Sequence, residues 1–341
     1  MTIQDTTSAH GPVPKLPWRK TPLIESRALS VLLGCQVYMK MEMFQPSGSF
    51  KSRGIGNHCL RAVEACPAGS PPVHFYASSG GNAGLAAVMA ARSLGQKCTV
   101  VVPEATKEFM REKLRLAGGE VFTYGKSWVE CDQECRRLLA LDPDGVYCPP
   151  FDDPAIWEGH SYLMDEIYDE IGRPDAVVTA VGGGGLLIGI MEGLDRYQDG
   201  YDVPVLAMET LGADSLHQSL KEDQLVALPA ITSIATSLGA RQVAKKAFEV
   251  ARRPNVRSGV VTDAQAASAC VRLLDDERIA IEISCGAAMA AIYSGALKKS
   301  FRLTSESKVV VIVCGGNSIN LATLEEYREV YHKPLVAEET V

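Results

Sequence analysis

A lysine stands at position 51 inside "PSGSFKSRGI", residues 46–55. Small turn-forming residues precede it (Ser47, Gly48, Ser49), and Phe50 adjoins it. A lysine is a nucleophile only when part of its population has lost the proton, and burial among apolar groups lowers its pKa toward neutrality. The aromatic neighbour and the helix predicted just after it make Lys51 a candidate nucleophile. A solvated lysine in a surface turn is the other reading of the same residues.

Three more stretches carry anion-binding chemistry, each a glycine-containing loop after a predicted strand. They are "SSGGN" (residues 78–82) after "VHFYA", "GGGG" (182–185) after "AVVTAV", and "CGGN" (314–317) after "KVVVIV". Glycine lets the backbone turn sharply and lets a ligand come close to the N–H groups. A following helix adds unpaired donors and the positive end of its dipole. No G-x-x-x-x-G-K-[ST] is present, which excludes a P-loop nucleotide site. Leu187 stands where the last glycine of G-x-G-x-x-G would fall in "GGGGLL", which disfavours a dinucleotide turn. Four consecutive glycines suit a single phosphate, although a tight strand-to-helix turn would also use them. Coupled to Lys51, a phosphate cradle suggests a Schiff base to an aldehyde that carries a phosphate. Pyridoxal 5'-phosphate is the candidate.

These loops need strands and helices to hold them, and the chain alternates the two periods. "VHFYA", "CTVVVPE" and "EVFTYG" read as strands, separated by helices in "NAGLAAVMAARSLG" and "KEFMREKLRLAGG"; another helix, "SWVECDQECRRLLAL", follows. "VYCPPFDDP" marks a connection, after which "AVVTAV", "VPVLAMET" and "KVVVIV" supply further strands. Strands alternating with helices imply right-handed crossovers and parallel sheets. Residues 211–257 give no clear pattern. The expected fold is α/β, with two domains on mostly parallel twisted sheets. Ligands in such sheets bind at the carboxyl ends of the strands.

Composition agrees with a globular enzyme. The chain has 341 residues, 46% hydrophobic and 22% charged, enough for two domains. A net charge of −7 with no basic cluster argues against nucleic acid or an anionic membrane as partner. The opening "MTIQDTTSAHGPVPKLPWRK" lacks an apolar h-region, and the longest uncharged stretch, 176–191, is too short to span a bilayer. Ten scattered cysteines without a C-x-x-C pair read as free thiols in a reducing cytoplasm.

The motifs "PSGSFKSRG", "SSGGNAG", "GGGGLL" and "VVIVCGGN" occur in the order found in fold-type II pyridoxal-phosphate enzymes. Their combination resembles the catabolic L-serine/L-threonine dehydratases of this tryptophan synthase β-like fold, from about Thr21 to Asn320. The resemblance implies a small substrate-gating domain over 46–149 and a large cofactor-binding domain from 1–45 and 150–341. It makes Lys51 the lysine that holds the cofactor and Gly182, Gly183, Gly184 and Gly185 the phosphate loop. Phe50 and Asn82 match positions at the cofactor ring and its 3-oxygen, and Cys314 matches the position facing the pyridine nitrogen. Ser79, Asn82 and the Ala83 amide lie where the family binds the substrate carboxylate. Glu209, Ala213 and Ser215 resemble cation ligands, with potassium expected by analogy.

The activity so implied is α,β-elimination from L-serine to pyruvate and ammonia, and from L-threonine to 2-oxobutyrate, by a homodimer. A neutral thiol at Cys314 would support a long-lived carbanion poorly, which favours elimination over transamination. Serine racemases of the superfamily tend to carry a serine where this chain has Gly80, which disfavours racemisation. Ser52 and "IEISCGAA" (281–288) depart from the commoner family residues. The chain stops soon after "CGGNSIN", which is expected to leave no room for the regulatory domain of biosynthetic threonine deaminases. A serine racemase with side dehydratase activity, a catalytically weak cofactor-binding relative or sensor, and a nicotinamide dehydrogenase remain as rivals.

Overall fold

A run such as "KVVVIV" is stable only where both faces of a sheet are covered, and it becomes a central strand. The computed structural model describes residues 16–331. The readings of the opening segment and of the tail from His332 lie outside the described residues. Ten strands form: β1 (Leu23–Glu25), β2 (Gln36–Met41), β3 (His74–Ala77), β4 (Lys97–Val102), β5 (Glu120–Thr123), β6 (Gly145–Tyr147), β7 (Ala176–Ala180), β8 (Val205–Thr210), β9 (Val256–Val261) and β10 (Lys308–Val313). They sort into a six-stranded sheet, β1-β2-β10-β7-β8-β9, and a four-stranded sheet, β5-β4-β3-β6.

Every pairing is parallel except β1 with β2. Val309 to Val313 of β10 are completely buried between β2 and β7. Because β7 and β10 are parallel neighbours, their carboxyl ends deliver "GGGG" and "CGGN" to the same edge of the sheet. The α/β fold on mostly parallel sheets is therefore as the alternation predicts.

Elements with strong local signals also form where expected. The helix Glu108–Ala117 ends at Gly118 with φ 105°, the stop that its glycine pair predicts. "VYCPPFDDP" is more structured than its prolines suggest. Its first two residues end β6, and Asp153 caps the helix Pro154–Ile171 by accepting from Ala155 N. Residues 211–257 form the helices Ser215–Lys221 and Lys245–Ala251, a 3-10 turn at Thr236–Leu238 and the start of β9. All ten cysteines are free, and nine are buried. No helix among the described residues is long and apolar enough to cross a membrane.

One polar cluster sits inside the apolar packing. Arg53, on the helix Lys51–Glu64, is fully buried and forks onto Glu42 (Nε–Oε2 2.7 Å) and Glu166 (Nη1–Oε1 2.7 Å). Lys40 of β2, equally buried, donates to Glu166 Oε2 (2.6 Å) and Thr21 O (2.7 Å), and Thr21 Oγ1 donates to Glu42 (2.6 Å). Two cations thus face two carboxylates, which ties the start of the lysine helix to β2 and to the helix Pro154–Ile171.

Candidate active site

Lys51 opens the helix Lys51–Glu64, and the turn before it is pinned to the end of β10. Phe50 N donates to Cys314 O (3.2 Å), and Gly316 N to Gly48 O (2.9 Å). The lysine amine donates to Pro150 O (2.8 Å) and lies 4.9 Å from the centre of the Phe50 ring. Burial lowers its pKa to about 8, against the opposing pull of Glu282. The amine is therefore protonated below that value and nucleophilic above it. The rate of cofactor uptake by the apoprotein should rise through about pH 8 and then level off. Stopped-flow absorbance checks this; a midpoint near 10.5, the ordinary lysine value, would refute the burial argument.

The glycine loop leads from β7 into the helix Gly185–Asp195, with Gly184 at φ 90°. No position in it has room for a side chain. A β-carbon on Gly183 would fall inside the Phe151 ring, one on Gly184 would meet Ala247, and one on Gly185 would lie 2.7 Å from Phe151 O. At Gly182 it would lie 3.1 Å from Leu238 Cα and Ser237 O. The result is a backbone-only concavity at a helix N-terminus, which suits a phosphate.

Asn82 and Ala83 begin the helix Asn82–Ser93 at the end of β3. Ser79 Oγ accepts from Gly81 N (3.3 Å), which leaves its proton free to donate. Asn82 is more committed than its sequence role implies. Its Nδ2 donates to both oxygens of Glu282 (3.0 and 3.1 Å), and its Oδ1 accepts from Asn317 N (2.9 Å) and Nδ2 (3.0 Å). Those bonds join the helix after β3 to the segment after β10, so the two sheets meet through Asn82.

Glu282, Pro150 and Phe151 line the candidate site without being singled out by the motifs, and Asn317 closes the "CGGN" loop. Glu282 lay inside the quoted "IEISCGAA", but nothing local marks it as a partner of Asn82. Burial raises its pKa, while Asn82, Ser237, Ser318 N and Lys51 pull it back down. Cys314 is buried beside Cys285, and their hydrogen bond together with burial pushes its thiol far up. It therefore stays neutral. A β-carbon on Gly80 would lie 2.8 Å from Thr106 Cγ2 and 2.9 Å from its Oγ1, so that side chain would have to move to admit one.

Glu209, Ala213 and Ser215 form a separate cluster at the end of β8. The turn between them closes through Ala213 N to Thr210 O (2.8 Å). Glu209 is fully buried and accepts from Leu216 N (2.9 Å) and His217 N (2.8 Å). Burial raises its pKa to about 8 in spite of those bonds. Ser215 Oγ is buried with no hydrogen-bond partner among the described residues.

The arrangement puts a partly desolvated lysine, a backbone phosphate cradle and a neutral thiol at the carboxyl ends of one sheet and its neighbour. A family model described as "Pyridoxal-phosphate dependent enzyme" matches residues 15–315. The chain belongs to the pyridoxal-phosphate dependent enzyme family. Among relatives in this family, human L-serine dehydratase/L-threonine deaminase is 44% identical over 317 residues, covering 91% of this chain and 94% of the relative. The mouse protein "Serine dehydratase-like" is 47% identical over 320 residues, covering 91% and 94%. The crystal structure of a fungal L-serine ammonia-lyase from Rhizomucor miehei superposes with a TM-score of 0.86 at 37% identity, covering 92% of this chain and 99% of that one. The residues fit the cofactor that gives the family its name, since the cradle excludes side chains and the lysine beside it is primed by burial.

Proposed function

We propose that the chain is a pyridoxal-phosphate dependent L-serine/L-threonine ammonia-lyase, converting L-serine to pyruvate and ammonia and L-threonine to 2-oxobutyrate and ammonia. The carrying observation is the Lys51 amine held by Pro150 O, adjacent in sequence to the Phe151 that walls the glycine cradle, in a chain 44% identical to human L-serine dehydratase/L-threonine deaminase. When bound, the cofactor supplies the electron withdrawal from Cα that no side chain can provide. Lys51 holds it, and the backbone of Gly182 to Gly185 holds its phosphate. Phe50 and Asn82 would flank its ring, and Cys314 would offer the ring nitrogen an uncharged thiol. Ser79 and the Ala83 N–H bind the substrate carboxylate, with Asn82 exchanging a protein bond to join them. Lys51, once free and neutral, takes the Cα proton, and loss of the β-hydroxyl as water follows. Hydrolysis of the resulting enamine gives the keto acid and ammonia.

The same reading includes a homodimer, a cytoplasmic location, a gating domain over 46–149, and a cofactor domain over 1–45 and 150–341. It also places potassium at Glu209, Ala213 and Ser215, supported by the buried carboxylate and the unpartnered Ser215 hydroxyl. A hard cation suits such oxygens. A proton competes with it at Glu209 below about pH 8, so potassium should protect most at alkaline pH. At a concentration a hundredfold above Kd the gain is about 2.7 kcal/mol. Melting in potassium chloride against choline chloride, at pH 6 and pH 8.5, measures it; equal melting in both salts at pH 8.5 would remove the site.

The decisive experiment incubates purified protein with L-serine and assays pyruvate and D-serine together. Pyruvate in large excess supports the lyase. D-serine in excess would make the protein a racemase and overturn the argument from Gly80.

A further inference from the structure

We infer that the connection from β6 into the helix Pro154–Ile171 sets Lys51 and the glycine cradle in register with each other, and that Phe151 is its positioning residue. Two consecutive residues of this connection touch the two halves of the site. Pro150 O accepts the Lys51 amine at 2.8 Å. Phe151 packs its ring where a Gly183 β-carbon would fall, and its carbonyl lies 2.7 Å from the corresponding position at Gly185. The lysine and the cradle come from separate stretches of chain, linked through the β10–β7 pairing below them and, on this side, through the connection that touches both.

The support itself is fastened along its length. Cys148 N donates to Tyr76 O (2.7 Å), which anchors the start to β3. Trp157 Nε1 donates to Phe151 O (2.9 Å), which fixes the peptide at the centre. His58, on the lysine helix itself, contacts Tyr147 O through Nε2 (3.0 Å) and Asp153 Oδ1 through Nδ1 (3.2 Å). The lysine helix therefore grips both ends of the segment whose middle supports the cradle. Glycines have wide conformational freedom, which the Phe151 ring restricts at Gly183 and the Phe151 carbonyl at Gly185. A displacement near 1 Å in such a support can cost about a hundredfold in function.

The inference rests on the pyridoxal-phosphate reading above, and the test separates the two. Full-length parent, Phe151→Ala, Phe151→Leu and Phe151→Tyr are titrated with pyridoxal 5'-phosphate, following the absorbance of the bound cofactor. The melting temperature of each apoprotein is recorded alongside. Phe151→Ala and Phe151→Leu should weaken cofactor binding about ten- to hundredfold, with Phe151→Tyr close to the parent. The weakening should persist at a temperature where every apoprotein is folded. Should parent and Phe151→Leu bind the cofactor equally tightly, the positioning role is wrong. A Phe151→Ala loss that tracks the melting temperature alone refutes it too. If the parent itself takes up no cofactor, the family-derived reading fails instead.

Discussion

Lys51→Ala should abolish turnover of L-serine while leaving the protein folded. In the mechanism proposed above, two roles end with one side chain: the covalent hold on the cofactor and the base that takes the Cα proton. A positioned base alone is worth about 10²–10⁴-fold, so pyruvate production should fall about 10³-fold or more. The fold should not suffer. Position 51 opens a helix, and alanine is the best helix former. The native lysine pays a desolvation cost, seen as its pKa drop to about 8, and alanine does not. The bond to Pro150 O and the contact with the Phe50 ring are lost. The variant should therefore melt no lower than the parent apoprotein at pH 7. Its cofactor should also resist trapping, whereas borohydride should bleach the near-visible band of the parent. Steady pyruvate production by the folded variant would remove Lys51 from both roles.

Arg53→Met should produce the largest loss of stability. The arginine is buried and supplies bonds to Glu42 and Glu166, leaving Lys40 as the only other cation in the cluster. Methionine roughly fills the volume but leaves two buried carboxylates facing one ammonium. Removing one partner of a buried ion pair costs about 3–5 kcal/mol, against about 5–15 kcal/mol for a whole folded protein. A drop in melting temperature of about 4–7 °C follows from the usual entropy of unfolding of a chain of 341 residues. Arg53→Lys keeps a charge but loses the planar fork, so it should fall between the two. Because the cluster also anchors the lysine helix, the cofactor affinity of Arg53→Met should fall even where the protein is still folded. A melting temperature within about 1 °C of the parent would show that the carboxylates find other partners or take up protons, contrary to the strength assigned to the cluster here.

The strands β3, β4, β5, β7, β8 and β10, the helices between several of them, and the three glycine loops are legible in the sequence. Their signals act over a few residues: apolar runs, helical periodicity and glycine stops. Strands with weaker patterns were harder to see. The edge strand β1 has three residues and an antiparallel partner, β6 is equally short, and β9 begins at the end of residues 211–257, which show no clear pattern.

Motif order along the chain also carries the family assignment and the chemistry proposed for the site, since Lys51 and the glycine loop each need a local backbone arrangement that few sequences encode. Which polar groups would surround Lys51 was decided by the tertiary structure. Asn82 and Glu282 stand 200 residues apart and meet because two sheets are laid against each other. Pro150 reaches Lys51 from a connection that reads as an ordinary proline turn, and Thr106 crowds Gly80 from a loop after the neighbouring strand. Arg53, which sequence alone would leave at a surface, is buried because Glu42 and Glu166 arrive from separate elements to neutralise it. Periodicity and propensity report on neighbours along the chain, whereas satisfying a buried charge or amide depends on whichever groups the packed elements bring near.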